Sequence, residues 1–302
     1  MLGSRPSGTN DMLELQLERK WGPVQQGPPL EISRPSIIMD EHKKILAWCL
    51  PFVLSERHQV CVHLKFKKTP NDSAEEPSRS TSWRTDRWYF REWSQLKLNS
   101  GVVNLSPGWH HQGHEGLDDP IYISTSLRDK NKQAGNEWLR DIQESSAILS
   151  GMMANSCDTV MHPDLYAVGQ ECMRRLAQNE ELTDTLQWWA SIFNGAQIIS
   201  NRVTPAHRDS KSCMQWYDLL ASIGSYHNAS LDLHGANISI KDGPGTMIAL
   251  CGTAVQHSLM KYEGDRLCYA YFRRDSVHAS MHVEAAGWCK TDHVEALLLQ
   301  GL

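Results

Sequence analysis

The sequence lacks closely spaced cysteine pairs, which limits the metal and redox sites that it can hold. Its eight cysteines are scattered over 302 residues, and no two of them form a CxxC motif. Structural zinc sites and thioredoxin-type redox sites commonly use such pairs, so both are disfavoured. Several cysteines lie within apolar runs, as Cys61 does in QVCVHL and Cys251 does in MIALCG. We therefore expect buried, reduced thiols in a reducing compartment.

Long apolar runs and an excess of positive charge are also missing. No stretch approaches the roughly 18 apolar residues of a membrane helix, and the polar start MLGSRPSGTN does not resemble a secretion signal. We therefore expect an intracellular protein that does not contact a membrane. The formal net charge of −5 argues against a surface coated with phosphate-binding side chains, although a local basic patch is compatible with it.

Apolar residues are scarce over residues 67–82, where KKTPNDSAEEPSRSTS predicts a mobile insertion. The preceding residues 59–66 alternate as a strand does. We therefore assign residues 1–120 to a region of strands and loops. Residues 121–302 are expected to contain helices followed by a β-rich core, and the two regions are expected to form one compact catalytic domain.

Helical spacing of apolar residues precedes the β-rich part of the chain. It predicts helices over residues 135–155, 164–178 and 182–194, and Pro163 suits the first turn of the second helix. From residue 196 onward, short β-branched or apolar runs alternate with Asn, Gly and Pro turns: AQIIS, SLDLHGANISI, TMIALCG and RLCYAYF. Helices followed by a β-barrel or sandwich predict an α+β fold.

Two HxD motifs compete as parts of a metal site. His207 and Asp209 follow the strand-like run AQIIS at a turn, where residues i and i+2 can point to the same side and bind one ion. His162 and Asp164 instead lie at the start of a helical pattern, where such residues commonly serve as caps. We therefore predict that His207 and Asp209 ligate the metal.

A third ligand is expected on a strand that faces the first. His257 ends the run TMIALCGTAVQH, and Arg266 opens the next apolar strand nine residues later. Two histidines and one carboxylate on Fe(II) leave positions open for a bidentate 2-oxo acid and then O2. The planar fork of Arg266 suits the distal carboxylate of 2-oxoglutarate. Other histidines could replace His257, but no Arg-led apolar strand follows them: His227, His234, His278 and His282.

Longer stretches around these residues resemble a known family. NRVTPAHRDSKS, WYDLLASIGSYHNASLDL, DGPGTMIALCGTAVQHS and GDRLCYAYFRRD are similar to the fungal branch of the TET/JBP-like dioxygenases, chiefly over residues 121–278. The resemblance implies a double-stranded β-helix core (jelly-roll, cupin-like) flanked by N-terminal helices. It also implies Fe(II) on His207, Asp209 and His257, and 2-oxoglutarate on Arg266.

The resemblance assigns further residues to the cosubstrate and to a base extruded from nucleic acid. Arg202, five residues before the first metal histidine, matches a position that contacts the C1 end of 2-oxoglutarate. Cys268 stands where a serine often assists the cosubstrate carboxylate, so that contact is expected to be missing. Phe272 matches the aromatic residue on which the flipped base stacks. Ser212 and Arg274 replace an acid and a histidine that read cytosine in some relatives, so altered base selectivity is expected.

The family oxidises modified bases, so the resemblance implies a methylcytosine dioxygenase that uses Fe(II), 2-oxoglutarate and O2. 5-Methylcytosine in double-stranded DNA is the expected main substrate, oxidised to its hydroxymethyl, formyl and carboxyl forms. N6-Methyladenine demethylation is a second expectation because the base-reading positions are altered. The substrate class implies a nuclear location, and a monomer is the default state for an enzyme that admits a duplex.

Two other functions stay open on the sequence. The acidic net charge favours a hydroxylase of a protein side chain or small molecule with the same iron chemistry, whereas the Arg- and aromatic-rich residues 84–93 favour nucleic acid. A catalytically dead nucleic-acid-binding module from a mobile element is the other alternative, and the intact predicted site counts against it. The cluster HHQGHEG, with His110, His111 and His114, matches no common zinc spacing and is interpreted as a flexible loop near the DNA.

Overall fold

Two β-sheets form the framework of the protein, which we describe from a computed structural model. The structure describes residue 19 and residues 27–57, 59, 77–80, 82–91, 97–128 and 161–299. The predicted helix over residues 135–155 lies outside the described residues. Nearly all of the predicted strand 59–66 and most of the predicted insertion 67–82 also lie outside them.

The strands of the two sheets are three to ten residues long. In chain order they are β1 (Leu30–Ile32), β2 (Ser36–Met39), β3 (Ile45–Leu50), β4 (Gly101–Leu105), β5 (Gly195–Ser200), β6 (Thr204–His207), β7 (Asp218–His227), β8 (Ser230–Leu233), β9 (Ile238–Lys241), β10 (Thr246–Leu250), β11 (His257–Leu259) and β12 (Glu263–Phe272). The strand-like runs predicted after residue 196 therefore form strands in the structure.

The order of the strands is that of a jelly roll. In the described part of the chain, one sheet has the order β2-β3-β10-β7-β12-β5-β4 and the other has the order β1-β9-β8-β11-β6. Between β6 and β12 the chain crosses repeatedly from one sheet to the other, as it does in double-stranded β-helices. Strands from before residue 121 also enter both sheets, because β1 pairs with β9 and β3 pairs with β10.

Strand β12 places the predicted cosubstrate and base contacts on one of its faces. Side chains alternate along a strand, so Arg266, Cys268 and Phe272 point to the same side. The intervening Leu267 and Tyr269 point the other way, into the main cluster of buried apolar side chains. β12 pairs with β5 on one side and with β7 on the other, so this face lies in the middle of its sheet.

The second predicted helix is present as α1 (Pro163–Leu176), and its start explains the competing HxD motif. His162 is the N-cap: its Nδ1 accepts a hydrogen bond from the Leu165 N–H at 3.3 Å. Asp164 is exposed in the first turn, where a negative charge favours the helix dipole. The prediction that His162 serves as a cap is therefore confirmed.

The third predicted helix, over residues 182–194, is too long. Helix α2 (Glu180–Leu186) begins after the capping side chain of Asn179 and is only seven residues long. Beyond it the Trp189 indole N–H donates to the Phe193 carbonyl at 2.8 Å. This contact closes a turn that leads the chain directly into β5, so residues 187–194 form a turn and irregular chain where the helix was predicted to continue.

Two shorter helices follow the last strand. α3 (Asp275–Ser280) starts just after β12 and packs Val277 against α1 through a small apolar cluster that includes Cys172. α4 (Thr291–Leu299) ends the described chain. None of the described helices is both long and apolar enough to cross a membrane.

Candidate active site

Two neighbouring strands carry the two histidines of the predicted metal site. β6 and β11 are antiparallel, and His207 lies directly opposite His257 with the ring centroids 4.3 Å apart. Asp209 follows two residues after the end of β6, and its backbone N–H donates to the Gly252 carbonyl at 2.9 Å. Strand register and this turn contact therefore bring the three side chains to one place.

The three side chains can hold one metal ion. Ligand atoms of His207, Asp209 and His257 all lie within 4.8 Å of one another. The Asp209 carboxylate reaches both imidazoles, with Oδ1 3.5 Å from His207 Nε2 and Oδ2 3.6 Å from His257 Nε2. Among the residues that the structure describes, no other set of three His, Cys, Asp or Glu side chains comes together in this way.

The backbone holds both imidazoles in the form that binds a metal. His207 Nδ1 lies 2.9 Å from the Pro205 carbonyl, and His257 Nδ1 lies 2.9 Å from the Val255 carbonyl. A carbonyl oxygen only accepts hydrogen bonds, so Nδ1 must carry the proton in each ring. Nε2 is then left as the bare nitrogen of a neutral imidazole, and it is the atom that faces Asp209. Two imidazoles and one carboxylate fit Fe(II).

The charges of the cluster also suit a divalent cation. Burial, followed by the neighbouring His207, lowers the pKa of His257 to about 4, so this ring is neutral near pH 7. Burial opposes ionisation of Asp209, but without a metal a protonated His207 donates a hydrogen bond to it and attracts its charge, and these effects, with the attraction to His257, hold the pKa of Asp209 below its ordinary value. A metal ion at Nε2 takes the place of that proton. Neutral histidines and an ionised aspartate are the protonation states that metal binding requires.

Arg266 is buried on β12, in the other sheet, and already has an acidic partner. Its Nη2 donates to Asp242 Oδ2 at 2.7 Å and to the Ser222 hydroxyl at 2.8 Å, and its Nε lies 3.2 Å from the same Asp242 oxygen. The sequence reasoning placed Arg266 in the interior but did not foresee Asp242. Asp242 ends up there because it directly follows β9.

Arg202 is also buried, but its surroundings differ from those of Arg266. Only 3% of Arg202 is exposed, its Nη1 donates to the Arg84 carbonyl at 2.9 Å, and its Nε has no hydrogen-bond partner within the described chain. The guanidinium lies 4.9 Å from the centre of the Trp83 ring. Burial, followed by repulsion from Arg84, lowers the pKa of Arg202 to about 9. A buried cation in this state favours an anionic ligand.

A comparison with known families identifies the class of protein. Residues 106–275, more than half of the chain, match the family model Tet_JBP, described as the oxygenase domain of the 2OGFeDO superfamily. The chain belongs to this family. A Tet_JBP oxygenase uses Fe(II), 2-oxoglutarate and O2, so the protein is a dioxygenase, and the cluster of His207, Asp209 and His257 suits the iron.

A solved structure shares the fold of this chain. The structure of NgTET1 in complex with 5mC DNA matches with a TM-score of 0.54 and 11% identity, covering 97% of this chain and 99% of that chain. At this identity the match shows the fold, so the predicted double-stranded β-helix is confirmed. No protein of curated function matches the chain.

Two further solved structures are similar at lower scores. A 2OG-Fe(II) oxygenase family oxidoreductase from Burkholderia pseudomallei has a TM-score of 0.38 and 9% identity, with 80% of this chain and 93% of that chain covered. JOX2 in complex with 2OG, Fe and JA has a TM-score of 0.36 and 12% identity, with 92% of each chain covered.

Residues outside the segment that matches Tet_JBP also reach the metal cluster. Trp83 is 5% exposed, and its ring centroid lies 4.6 Å from that of His207. The next residue, Arg84, places Nη2 3.4 Å from Asp209 Oδ1. The segment is held there by backbone pairing with the chain before β6, including a 2.7 Å hydrogen bond from the Val203 N–H to the Tyr89 carbonyl. We noted residues 84–93 only as a surface for nucleic acid.

The predicted base contacts Phe272 and Arg274 lie together at the end of β12. The Phe272 ring covers Gly195, where an added Cβ would lie only 2.2 Å from the ring. The Arg274 guanidinium lies 4.6 Å from the ring centre, and its Nη1 donates to the Ser210 carbonyl at 3.0 Å. Ser210 follows Asp209 directly, so Arg274 connects the aromatic ring to the turn that carries Asp209.

Ser212 and Cys268 have different environments. The Ser212 hydroxyl is buried, has no hydrogen-bond partner within the described chain, and lies on the turn after Asp209. Cys268 is buried in a small apolar cluster with Val102 and Ile199 on the face of β12 that carries Arg266. Burial raises the pKa of the Cys268 thiol, so this side chain is a neutral group and not an anion beside the arginine.

The histidines of HHQGHEG do not form a group of metal ligands in the described part of the chain. His110 is buried, and its Nε2 lies 3.0 Å from the Ser280 hydroxyl. The His111 ring packs edge-on against Tyr122 with the centroids 4.4 Å apart. The loop predicted to be flexible is therefore anchored at these two residues.

Proposed function

We propose that this Tet_JBP oxygenase oxidises methylated bases in DNA, with 5-methylcytosine as the main substrate and N6-methyladenine as a second one. The observation that carries the proposal is the position of Phe272, which shares a face of β12 with Arg266 and is linked through Arg274 to the metal-binding turn. The fold shared with NgTET1, which was solved with 5mC DNA, supports the same substrate class.

In this proposal His207, Asp209 and His257 ligate Fe(II), while Arg202 and Arg266 bind the two carboxylates of 2-oxoglutarate. Bound iron would supply the oxidant that hydroxylates a methyl C–H bond, as 2-oxoglutarate and O2 are converted to succinate and CO2. The protein holds both imidazoles through their Nδ1 hydrogen bonds and buries the two rings. The Asp209 side chain is 32% exposed, so the cluster opens to solvent on the side of this carboxylate.

The flipped base is proposed to stack on Phe272, with Ser212 and Arg274 at its edge. Arg274 now lies 4.6 Å from the centre of the Phe272 ring, so an entering base must displace this guanidinium or lie against it. Arginine offers only donors, whereas the Ser212 hydroxyl can donate and accept. An edge read in this way does not require the amino group of cytosine, which is why N6-methyladenine is included.

An exposed tip beside the site suits a DNA duplex. Trp88 is 76% exposed, and the Arg87 guanidinium lies 5.6 Å from the centre of its ring. The tip belongs to the same segment that places Trp83 and Arg84 at the metal cluster. Indole rings stack on bases, and guanidinium groups pair with phosphates. We further propose that the enzyme acts as a monomer in the nucleus.

The test is to incubate the protein with Fe(II), 2-oxoglutarate and duplexes that carry 5-methylcytosine, N6-methyladenine or no methyl group. Digestion and mass spectrometry should show 5-hydroxymethylcytosine first, then the formyl and carboxyl bases, and loss of N6-methyladenine with release of formaldehyde. The double variant His207→Ala, Asp209→Ala should be inactive. Unchanged methylcytosine in a protein that still binds Fe(II) and 2-oxoglutarate would contradict the proposal.

The second candidate is a hydroxylase of a protein side chain or small molecule, which the net charge of −5 favours. The two functions differ in what stimulates succinate formation. Methylated duplex should stimulate it in our proposal, and an unmethylated duplex or a mixture of peptides should not. Stimulation by peptides alone would establish the second candidate instead.

A further inference from the structure

Arg266, the residue assigned to the distal carboxylate of 2-oxoglutarate, is already paired with an acidic side chain in the structure. Arg266 is 6% exposed and Asp242 is 2% exposed, and they form a buried ion pair with an Nη2–Oδ2 distance of 2.7 Å. The Ser222 hydroxyl bridges the pair, because it donates to Asp242 Oδ2 at 3.0 Å and accepts from Arg266 Nη2 at 2.8 Å. The net charge of this network is close to zero.

The other buried arginine of the site, Arg202, differs from Arg266 in having no acidic partner among the described residues. Arg202 forms no ion pair with any residue that the structure describes, and it is a buried positive charge. A dicarboxylate entering the site therefore meets one unneutralised arginine and one neutralised arginine. At Arg266 its carboxylate would also approach the negative charge of Asp242, which costs free energy in a buried site.

Polar atoms without partners surround the ion pair. Asp242 Oδ1 and the Tyr262 hydroxyl are buried and make no hydrogen bond within the described chain, and the buried Tyr226 lies beside them. The centres of the two tyrosine rings lie 5.8 and 5.9 Å from the Arg266 guanidinium. Buried polar atoms are normally paired, so this group can accept new hydrogen bonds around Arg266 when a ligand binds.

We propose that Asp242 is an internal counter-ion that occupies Arg266 in the cosubstrate-free enzyme and competes there with the distal carboxylate of 2-oxoglutarate. This inference rests on the proposed assignment of Arg266 to the cosubstrate. Asp242 stabilises the empty site, since a buried arginine without a partner is strongly unfavourable. For the same reason it weakens cosubstrate binding and reduces the preference for a 2-oxo acid that carries a second carboxylate.

The test measures binding without turnover, with Mn(II) in place of Fe(II) and without DNA. The ligands are 2-oxoglutarate and 2-oxopentanoate, which has the same chain length but a methyl group in place of the distal carboxylate. In Asp242→Asn we expect 2-oxoglutarate to bind about tenfold more tightly than in the wild type, as gaining one charged hydrogen bond predicts, and 2-oxopentanoate to change little. Equal or weaker binding of 2-oxoglutarate by the folded variant would overturn the inference.

Asp232→Asn is the matched control. Asp232 also accepts a hydrogen bond from a serine, the Ser239 hydroxyl at 2.7 Å, but it has no arginine partner among the residues that the structure describes. The Asp232→Asn variant should bind 2-oxoglutarate and 2-oxopentanoate with the affinities of the wild type. Thermal unfolding gives a second measurement: Asp242→Asn should melt below the wild type without ligand and gain more stability from 2-oxoglutarate than the wild type does.

Two further measurements distinguish a failure of this inference from a failure of the variant to fold or of the assignment of Arg266. If Asp242→Asn does not fold, the wild-type preference for 2-oxoglutarate over 2-oxopentanoate decides: a preference below about tenfold supports the inference, and a larger one overturns it. Arg266→Gln tests whether Arg266 binds the distal carboxylate of 2-oxoglutarate. If this variant still prefers 2-oxoglutarate over 2-oxopentanoate as the wild type does, Arg266 does not bind that carboxylate and Asp242 cannot compete for it. The Asp242→Asn and Arg266→Gln results do not depend on whether DNA is the substrate.

Discussion

Gly252 lies against the carboxylate of Asp209, with no room for a side chain between them. A Cβ on Gly252 would be 2.6 Å from Asp209 Oδ2 and 2.8 Å from Oδ2 of a second buried acid, Asp218. Burial, followed by the charge of Asp209, raises the pKa of Asp218 well above its ordinary value, so Asp218 holds a proton more readily than Asp209 does. Glycine is needed here for close approach and not for its backbone conformation.

Gly252→Ala should therefore weaken metal binding. The added methyl must push Asp209 away from the two histidines, and we expect the affinity for Fe(II) or Mn(II) to fall at least about tenfold, as when a metal ligand loses its support. Direct titration with either metal measures this. Gly235→Ala is the control because a Cβ at Gly235 meets no atom within 4 Å. Wild-type affinity in Gly252→Ala would show that Asp209 does not ligate the metal in this position.

Gly195→Ala should weaken binding of the methylated base and leave the affinity for the metal unchanged. An added Cβ at Gly195 would lie 2.2 Å from the Phe272 ring, so the ring has to swing away from its place at the end of β12. We expect kcat/KM on methylated DNA to fall about as far as in Phe272→Ala, while the affinities for metal and 2-oxoglutarate stay within about twofold, since stacking on a base contributes roughly 1–3 kcal/mol. If Phe272→Ala oxidises methylcytosine at the wild-type rate, the stacking role is refuted.

The two neighbouring tryptophans should separate cosubstrate binding from DNA binding. Trp83→Leu removes the buried ring beside Arg202, and we expect 2-oxoglutarate to bind about tenfold more weakly, as loss of a desolvated cation–π contact predicts. Trp88→Ala removes the exposed ring and should weaken binding to a duplex by a similar factor. Each variant is the control for the other. A Trp88→Ala protein with unchanged DNA affinity would remove this tip from the proposed interface.

Stability should fall in mild acid because of a buried histidine. Burial, followed by Arg273, lowers the pKa of His278 from 6.5 to about 3. The unfolded chain takes up this proton first, so the contribution of His278 is complete above pH 6.5 and is lost between pH 6.5 and 3. The slope is about 1.4 kcal/mol per pH unit for one such group.

Denaturant unfolding between pH 7.5 and 4.5 measures this effect. His278→Leu should show a shallower decline in the free energy of unfolding by about the slope of one group. His227→Gln is the control, because His227 is exposed and paired with Glu263 at the surface. An equal decline in wild type and His278→Leu would mean that other groups control the acid sensitivity.

The spacing of residues along the sequence was sufficient to predict the parts of the site that depend on strand geometry. His207 and Asp209 are two residues apart at a strand end, and His257 ends the run after β10, so alternation and turn spacing predicted that they would meet. Arg266, Cys268 and Phe272 share a face of β12 for the same reason. The cap role of His162 was also readable, because a cap is set by the few residues that follow it.

The spacing of residues was not sufficient to predict secondary structure where contacts with neighbouring residues and strands decide it. The helix predicted over residues 182–194 ends at Leu186 because the residues after it form a turn that the contact between Trp189 and Phe193 closes. The periodicity of the apolar residues does not distinguish this turn from a continued helix. β5 begins at the next residue, Gly195, and is held by pairing with β4 and β12, which lie far from it in the chain.

The sequence by itself therefore predicted a β-rich core after residue 196, the three side chains that form the His-Asp-His cluster and the strand that carries Arg266, while the resemblance to a known family added the double-stranded β-helix and the role expected of Phe272. The predictions made from the residues follow from short-range periodicity, which every residue of a strand obeys. Only the tertiary structure decided that Trp83 and Arg84 complete the metal site, that Asp242 occupies Arg266 and that Gly252 makes room for Asp209. Those contacts join separate elements of the chain, and their energies depend on burial and distance, which exist only once the sheets have formed.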